Sequence, residues 1–245
     1  MREAKKDNDV CVVSIYVNPA QFGPKEDFKK YPRDFKRDSS MAKKENVDIL
    51  FVPSDNTVYP QSYLTYIDVE KISHSLCGRF RPGHFRGVAT IVAKLLNMVR
   101  PDVMYLGQKD AQQVVVLKTM VRDLNFPVDI KVVDTVREAD GLAMSSRNKY
   151  LNPLQRRQAV VLYQALRKAG QMVEAGERST AKVKAMMKAM IRKNSSGKIQ
   201  YVECVNADTL ETLKVFRGHI LIALAVFFGD TRVIDNVLLR LYESK

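Results

Sequence analysis

Apolar residues along this chain recur with two alternating periods. "VCVVSIYV" (10–17) is a continuous, β-branched run of the kind shown by a strand buried on both faces. "DILFV" (48–52), "VMYL" (103–106) and "VDIKVV" (128–133) repeat the pattern. Between these runs the spacing becomes helical, over roughly 33–45, 84–99 and 109–124. In the second of these, Val88, Ile91, Val92, Leu95, Leu96 and Val99 make a single apolar stripe. Such alternation predicts an α/β domain built on a mostly parallel sheet, with ligands at the carboxyl ends of its strands. Beyond residue 151 the order changes to two helices, near 153–174 and 179–194, then strands near 198–205, 219–228 and 232–240. This predicts a small α+β second domain, 152–245, following a first domain of 1–151. Asn152 as helix cap with Pro153 in the first turn marks the boundary.

Composition narrows the class. With 46% hydrophobic and 27% charged residues the chain has the balance of a globular protein. The apolar run "ILIALAVFF" (220–228) falls far short of the ~20 residues a helix needs to cross a bilayer. It reads as a buried strand. The charged start "MREAKKDND" lacks the apolar core of a secretory signal, so a cytoplasmic protein with no membrane partner is expected. Cys11, Cys77 and Cys204 are widely separated, with neither disulfide nor zinc spacing. The net charge of +13 raises the question of nucleic acid, but the excess falls on stretches such as "TAKVKAMMKAMIRK", where lysines alternate with alanine and methionine as a solvated helix face requires. No nucleic-acid partner is expected.

Three strand ends carry chemistry. After the first comes "NPAQFGPKEDFKKYPR", in which Asn18 and Gln21 are amides suited to hydroxyl and carboxylate oxygens, or else amides of a Pro/Gly-rich loop facing water. After 103–106 comes "GQKDAQQ". Lys109 at the start of a helix adds a cation to a ready anion site, Asp110 can accept from ribose hydroxyls, and Gln113 shares their face. A capped helix with a surface lysine gives the same letters. After 128–133 comes "DTVREADGLAMSSRN", where Ser145 and Ser146 offer hydroxyls and Arg147 a two-pronged cation to phosphate oxygens; a polar linker is the plain alternative. "GRFRPGHFRG" (78–87) is dense in cations, and its His84 reads more readily as structural than as a phosphate contact.

Four stretches together, "VSIYVNPAQFGPKEDFKKYPRD", "RPGHFRGVATIVAKLLNMVRPD", "LGQKDAQQ" and "TVREADGLAMSSRNKYL", resemble the pantothenate synthetase (pantoate–β-alanine ligase) family. The resemblance implies a Rossmann-like adenylyltransferase domain with a small C-terminal lid, assembled as a homodimer. It also implies a reaction with pantoate, β-alanine, ATP and Mg2+ that passes through pantoyl adenylate. Position by position, Gln21 and Gln113 would hold pantoate, with Gln21 also near β-alanine. Gly107, Gln108, Lys109 and Asp110 would bind the nucleotide, Lys109 at the phosphates and Asp110 at the ribose. Val136 would line the adenine pocket. Met144, Ser145, Ser146 and Arg147 would form the mobile phosphate loop, and Lys109, Ser145, Ser146 and Arg147 would be the catalytic set. Asn18, Tyr31, Arg81 and His84 are secondary candidates.

One family feature has no counterpart: the family's H-x-G-H segment is not found in this sequence, whose three histidines are His74, His84 and His219. "MREAKKDND" corresponds to the end of the family's first helix. The expectation is an N-terminally truncated chain lacking the first strand, with exposed edges on the strands at 10–17 and 103–106 and impaired activity. A non-catalytic pantoate- and nucleotide-binding protein is the alternative, and a basic RNA-binding protein ranks third.

Overall fold

Helix α1 (Arg2–Asp7) leads into strand β1 (Val12–Ser14), which pairs in parallel with β2 (Ile49–Phe51), Val13 lying opposite Leu50. Residues 1–24 and 26–242 are described by this computed structural model. Between the two strands runs α2 (Phe35–Lys44), started by Asp34, whose side chain accepts from the Arg37 N–H at 3.0 Å. After β2 come the short helix α3 (Asp55–Val58), then α4 (His84–Val99), β3 (Val103–Gly107), α5 (Ala111–Asp123) and β4 (Asp129–Val133), with β3 and β4 hydrogen-bonded to each other. The helix predicted at 84–99 is found there. Its apolar stripe buries Val88, Ile91 and Leu96 together with Phe85, Ala89 and Ala93.

Two predictions in this part need correction. The expected strand 10–17 is cut to three residues, and it is not buried on both faces: Val10 is 59% exposed and Ser14 is exposed. The reason is pairing. β1 has β2 on one side and no strand on the other among the described residues, and β3 likewise pairs with β4 alone. The helix expected at 109–124 opens instead as a tight 3-10 turn, Gln108–Asp110, so Lys109 and Asp110 stand ahead of α5 rather than on its face.

The chain separates into two compact units: residues 1–74, 78–106 and 116–133 form one, and residues 75–77, 107–115 and 134–245 the other. In the second unit α6 (Pro153–Gln158) begins with the predicted Asn152 cap, completed by Gln155 reaching back to the Asn152 N–H at 3.1 Å. The helix predicted over 153–174 breaks at Ala159–Val160, where the Leu162 N–H bonds to Ala159 O at 3.2 Å and tightens the turn, and α7 (Val161–Glu174) follows. Then come α8 (Thr180–Asn194) and the strands β5 (Lys198–Asn206), β6 (His219–Phe228) and β7 (Thr231–Arg240), antiparallel in the order β5-β6-β7. The run "ILIALAVFF" is the central strand. Its Ile220, Ile222, Leu224, Val226 and Phe228 share a core with Leu162, Leu166, Met187 and Ile191. No helix among the described residues is long and apolar enough to cross a membrane.

Candidate functional site

In the first unit, the turn after β1 is organised by one amide. Asn18, 2% exposed, caps the 3-10 turn Pro19–Gln21: its Oδ1 accepts from the Ala20 N–H at 3.2 Å and from the Tyr59 hydroxyl at 2.8 Å. Its Nδ2 donates to Gly87 O at 3.0 Å and to Gln21 Oε1 at 3.4 Å. The Gln21 carbonyl is gripped as well. It accepts from Arg81 Nη2 at 3.3 Å and lies 2.8 Å from His84 Nδ1, while His84 Nε2 lies 3.1 Å from Arg81 Nη1. A guanidinium only donates and a carbonyl only accepts, so the imidazole carries its proton on Nδ1 and receives on Nε2. His84 thus bridges the Gln21 carbonyl and the Arg81 guanidinium.

Arg81 in turn forks onto Glu26, with both carboxylate oxygens engaged. Burial works against the charge on Glu26, and the Arg81 guanidinium outweighs it, holding the carboxyl below its usual range. Tyr31 sits in a different group: its ring packs edge-on against Phe22, which tilts onto Phe28 under the Arg33 guanidinium. Gly87 lets the turn and α4 meet. A β-carbon there would lie 2.3 Å from Ala20 O and 2.6 Å from the Gln21 nitrogen.

The second unit holds the remaining candidates. Gly107 is exposed and extended (φ −84°, ψ 133°), with open space where a β-carbon would stand, so a ligand can approach its backbone closely. Lys109 Nζ lies 3.7 Å from Asp110 Oδ2, the lysine side chain 20% and the aspartate 51% exposed. The two neighbouring glutamines of "DAQQ" separate. Gln112 is buried, accepting from the Cys77 N–H at 2.9 Å and donating to Ser75 O at 2.8 Å, whereas the half-buried Gln113 makes no side-chain hydrogen bond to another described residue.

The stretch 134–150 folds back on itself. Arg137 bridges Ala143 in antiparallel fashion, Met144 N–H bonds to Val136 O at 2.9 Å, and the two ends present Val136 (63% exposed) and Met144 (53% exposed). Ser145 caps the 3-10 turn Ser146–Tyr150 by accepting from the Arg147 N–H at 3.3 Å. Arg156 fastens the base of this loop, bonding Asp140 at 2.7 Å and Glu138 at 2.6 Å. Its hydrogen bonds hold both carboxyls below their ordinary values, and the Arg156 guanidinium is raised in return, by Asp140 first and Glu138 second. Asn148 Nδ2 adds bonds to Glu138 Oε1 at 2.9 Å and to Ala143 O at 3.1 Å.

Two consecutive residues of β7 tie the loop to the turn. Asp235, its side chain 2% exposed, takes both Arg137 Nη atoms, at 2.6 and 3.0 Å. Asn236 accepts from Gln108 Nε2 at 3.0 Å and donates to Gln108 O at 3.1 Å and Lys109 O at 2.9 Å. The backbone that carries Lys109 and the loop that carries Ser145–Arg147 thus share one anchor.

Comparison with known proteins agrees with these motifs. A family model described as Pantoate-beta-alanine ligase matches residues 1–238. The chain belongs to the pantoate-beta-alanine ligase family. It is 53% identical over 237 residues to the pantothenate synthetase of Caldicellulosiruptor saccharolyticus, covering 97% of this chain and 84% of that relative. The crystal structure of pantothenate synthetase from Thermus thermophilus superposes with a TM-score of 0.93 at 41% identity, over 96% of this chain and 86% of that one. A pantoate-beta-alanine ligase from Francisella tularensis, solved in complex with beta-gamma ATP and beta-alanine, gives a TM-score of 0.78 at 34% identity, over 97% and 82%. The match to the family begins at residue 1, so the truncation expected from the sequence finds no support there. The enzyme reading is favoured over a non-catalytic binding protein and over RNA binding.

Within this ligase, the residues that sequence reasoning missed are the ones that hold others: Tyr59, Arg137, Arg156, Asp235 and Asn236. Tyr59 lies 41 residues from Asn18, and nothing local marks it. Asp235 and Asn236 did carry a signal, two polar residues interrupting the apolar strand "VIDNVLL".

Proposed function

We propose that the chain catalyses ATP-dependent condensation of pantoate with β-alanine to pantothenate through pantoyl adenylate. One pantoate carboxylate oxygen attacks the α-phosphorus of ATP and pyrophosphate leaves; the β-alanine amine then attacks the acyl carbon and AMP leaves, its proton passing to solvent. Gln21 and Gln113 hold pantoate. Gly107–Asp110 and Val136 bind the nucleotide, and Lys109 with Ser145, Ser146 and Arg147 balances charge at the phosphates. In this reading residues 1–151 supply most of the binding groups and residues 152–245 form the smaller lid domain, in a homodimeric, cytoplasmic enzyme. Catalysis rests on positioning rather than a covalent enzyme intermediate.

Among the described residues no group of three or more His, Cys, Asp or Glu is placed to hold a metal ion. In this reading Mg2+ enters as part of the substrate MgATP, carried by the phosphates as that ion commonly is.

The observation that carries the reading is the anchored pair of segments in the second unit: adjacent residues of β7 hold the Lys109 carbonyl, through Asn236, and Arg137 of the loop that leads to Ser145–Arg147, through Asp235. The test is pyrophosphate release with pantoate, β-alanine and MgATP. Pantoate labelled with 18O in its carboxylate should pass one label to AMP. Unlabelled AMP would exclude the adenylate, and absence of pyrophosphate would exclude the reaction.

A further inference from the structure

The amide of Gln21 has two ends, and only one is spoken for. Its Oε1 accepts from Asn18, and its Nε2 makes no hydrogen bond to another described residue. Which end faces outward depends on which way Asn18 is turned, and Asn18 is turned by its partners. Its Oδ1 meets two donors, the Tyr59 hydroxyl and the Ala20 N–H; its Nδ2 meets two acceptors, Gly87 O and Gln21 Oε1. All four capacities of the buried amide are filled, and the reversed amide would set Nδ2 against the Ala20 N–H and Oδ1 against the Gly87 carbonyl.

Tyr59 completes this arrangement from 41 residues away. Its ring is fixed independently of the hydroxyl, packed edge-on against Tyr63 at 5.1 Å with Lys94 over both rings. Burial, with Tyr63 beside it, pushes the phenol up to about 12, so it remains a donor throughout the working pH range.

We infer that Tyr59 is a positioning residue for substrate recognition: through Asn18 it locks Gln21 so that an N–H pair, and not a carbonyl, faces the ligand. A donor pair selects an acceptor oxygen, as in the hydroxyl and carboxylate of pantoate, and disfavours an ammonium group. The inference rests on the pantoate reading above and deepens it, giving Gln21 the role of donor toward a pantoate oxygen.

The experiment is a double-mutant cycle on pantoate binding, measured by calorimetry on the full chain with Tyr59→Phe, Gln21→Ala and the pair. Phenylalanine keeps the ring contacts and removes only the hydroxyl. Tyr59→Phe should weaken pantoate about 3- to 10-fold, the worth of one lost hydrogen bond, and leave ATP affinity unchanged. In the Gln21→Ala background the same substitution should have no further effect, whereas a merely structural role would make the two losses add. Additive losses, or wild-type affinity in Tyr59→Phe, would overturn the inference. If the wild-type chain bound no pantoate, the proposed function would fall, and the side-chain amide NMR signals of Gln21 in the unliganded protein would decide the inference alone. Signals that shift or broaden in Tyr59→Phe support it; unchanged signals refute it.

Discussion

Gly87→Ala sets two known effects against each other at one site. Alanine is favoured over glycine inside a helix by about 1 kcal/mol, and Gly87 lies within α4, so propensity alone predicts stabilisation. The new β-carbon, however, would stand 2.3 Å from Ala20 O, 2.4 Å from Ala20 C and 2.6 Å from the Gln21 nitrogen. Relaxed contacts need about 3.5 Å, so the turn must retreat by about 1 Å, and backbone atoms cannot swing aside as a side-chain tip would. Overpacking of this kind costs about 1–3 kcal/mol, and the Asn18–Gly87 hydrogen bond is lost with it, about 1 kcal/mol more. The net expectation is a loss of about 1–3 kcal/mol, read from urea unfolding followed by circular dichroism. Because the displaced turn carries Gln21, pyrophosphate release at limiting pantoate should fall by up to about 100-fold. Gly170→Ala in α7 is the matched control: there the nearest atom, Leu239 Cδ2, is 3.8 Å away, an ordinary contact, so the same substitution should be neutral or stabilise by up to about 1 kcal/mol. A Gly87→Ala protein as stable as wild type with an unchanged pantoate KM would refute the reasoning.

Three further outcomes are expected. Arg137→Ala leaves the Asp235 carboxylate buried without its partner, and urea unfolding should show a loss of about 3–5 kcal/mol, with Arg137→Lys falling between; a loss under about 1 kcal/mol would mean the carboxylate finds solvent. Glu138 and Asp140 are held below their ordinary values of 4.5 and 3.8 by Arg156, so the stability they confer is full above those values and is lost as pH falls through the depressed ones. Thermal melting should therefore be flat from neutrality to about pH 5 and drop below about pH 4, with a smaller drop in Arg156→Gln; an identical profile in that variant would dismiss the link. Gly107→Ala should melt like wild type, since its β-carbon meets nothing within 4 Å, yet bind ATP more weakly by equilibrium titration; undiminished ATP affinity would show that the ligand does not approach this backbone.

Local patterns specified much of this molecule because their causes are local. The stripe of α4, the Asn152–Pro153 start of α6 and the fully apolar β6 were legible because periodicity and capping act over a few residues. Residue types suited to phosphate and carboxylate could be read at the strand ends too. What sequence could not separate were letters of equal kind in unequal surroundings. "VCVVSIYV" and "ILIALAVFF" look alike, but β6 lies between two strands over a helical core, whereas β1 has one neighbouring strand among the described residues and is preceded by a Val10 that is 59% exposed. Gln112 and Gln113 are adjacent and identical, yet one is consumed by Ser75 and Cys77 and the other is not. Asn18, the hydrogen-bond partner of Gln21, is held by Tyr59 41 residues on, and the Lys109 carbonyl is held by Asn236, 127 residues on. Sequence by itself determined the family and most of the elements, since these follow from short-range sterics, burial and motif. Only the tertiary structure decided which polar groups are used up inside the protein, because hydrogen-bond capacity is finite and its partners are brought together by the fold.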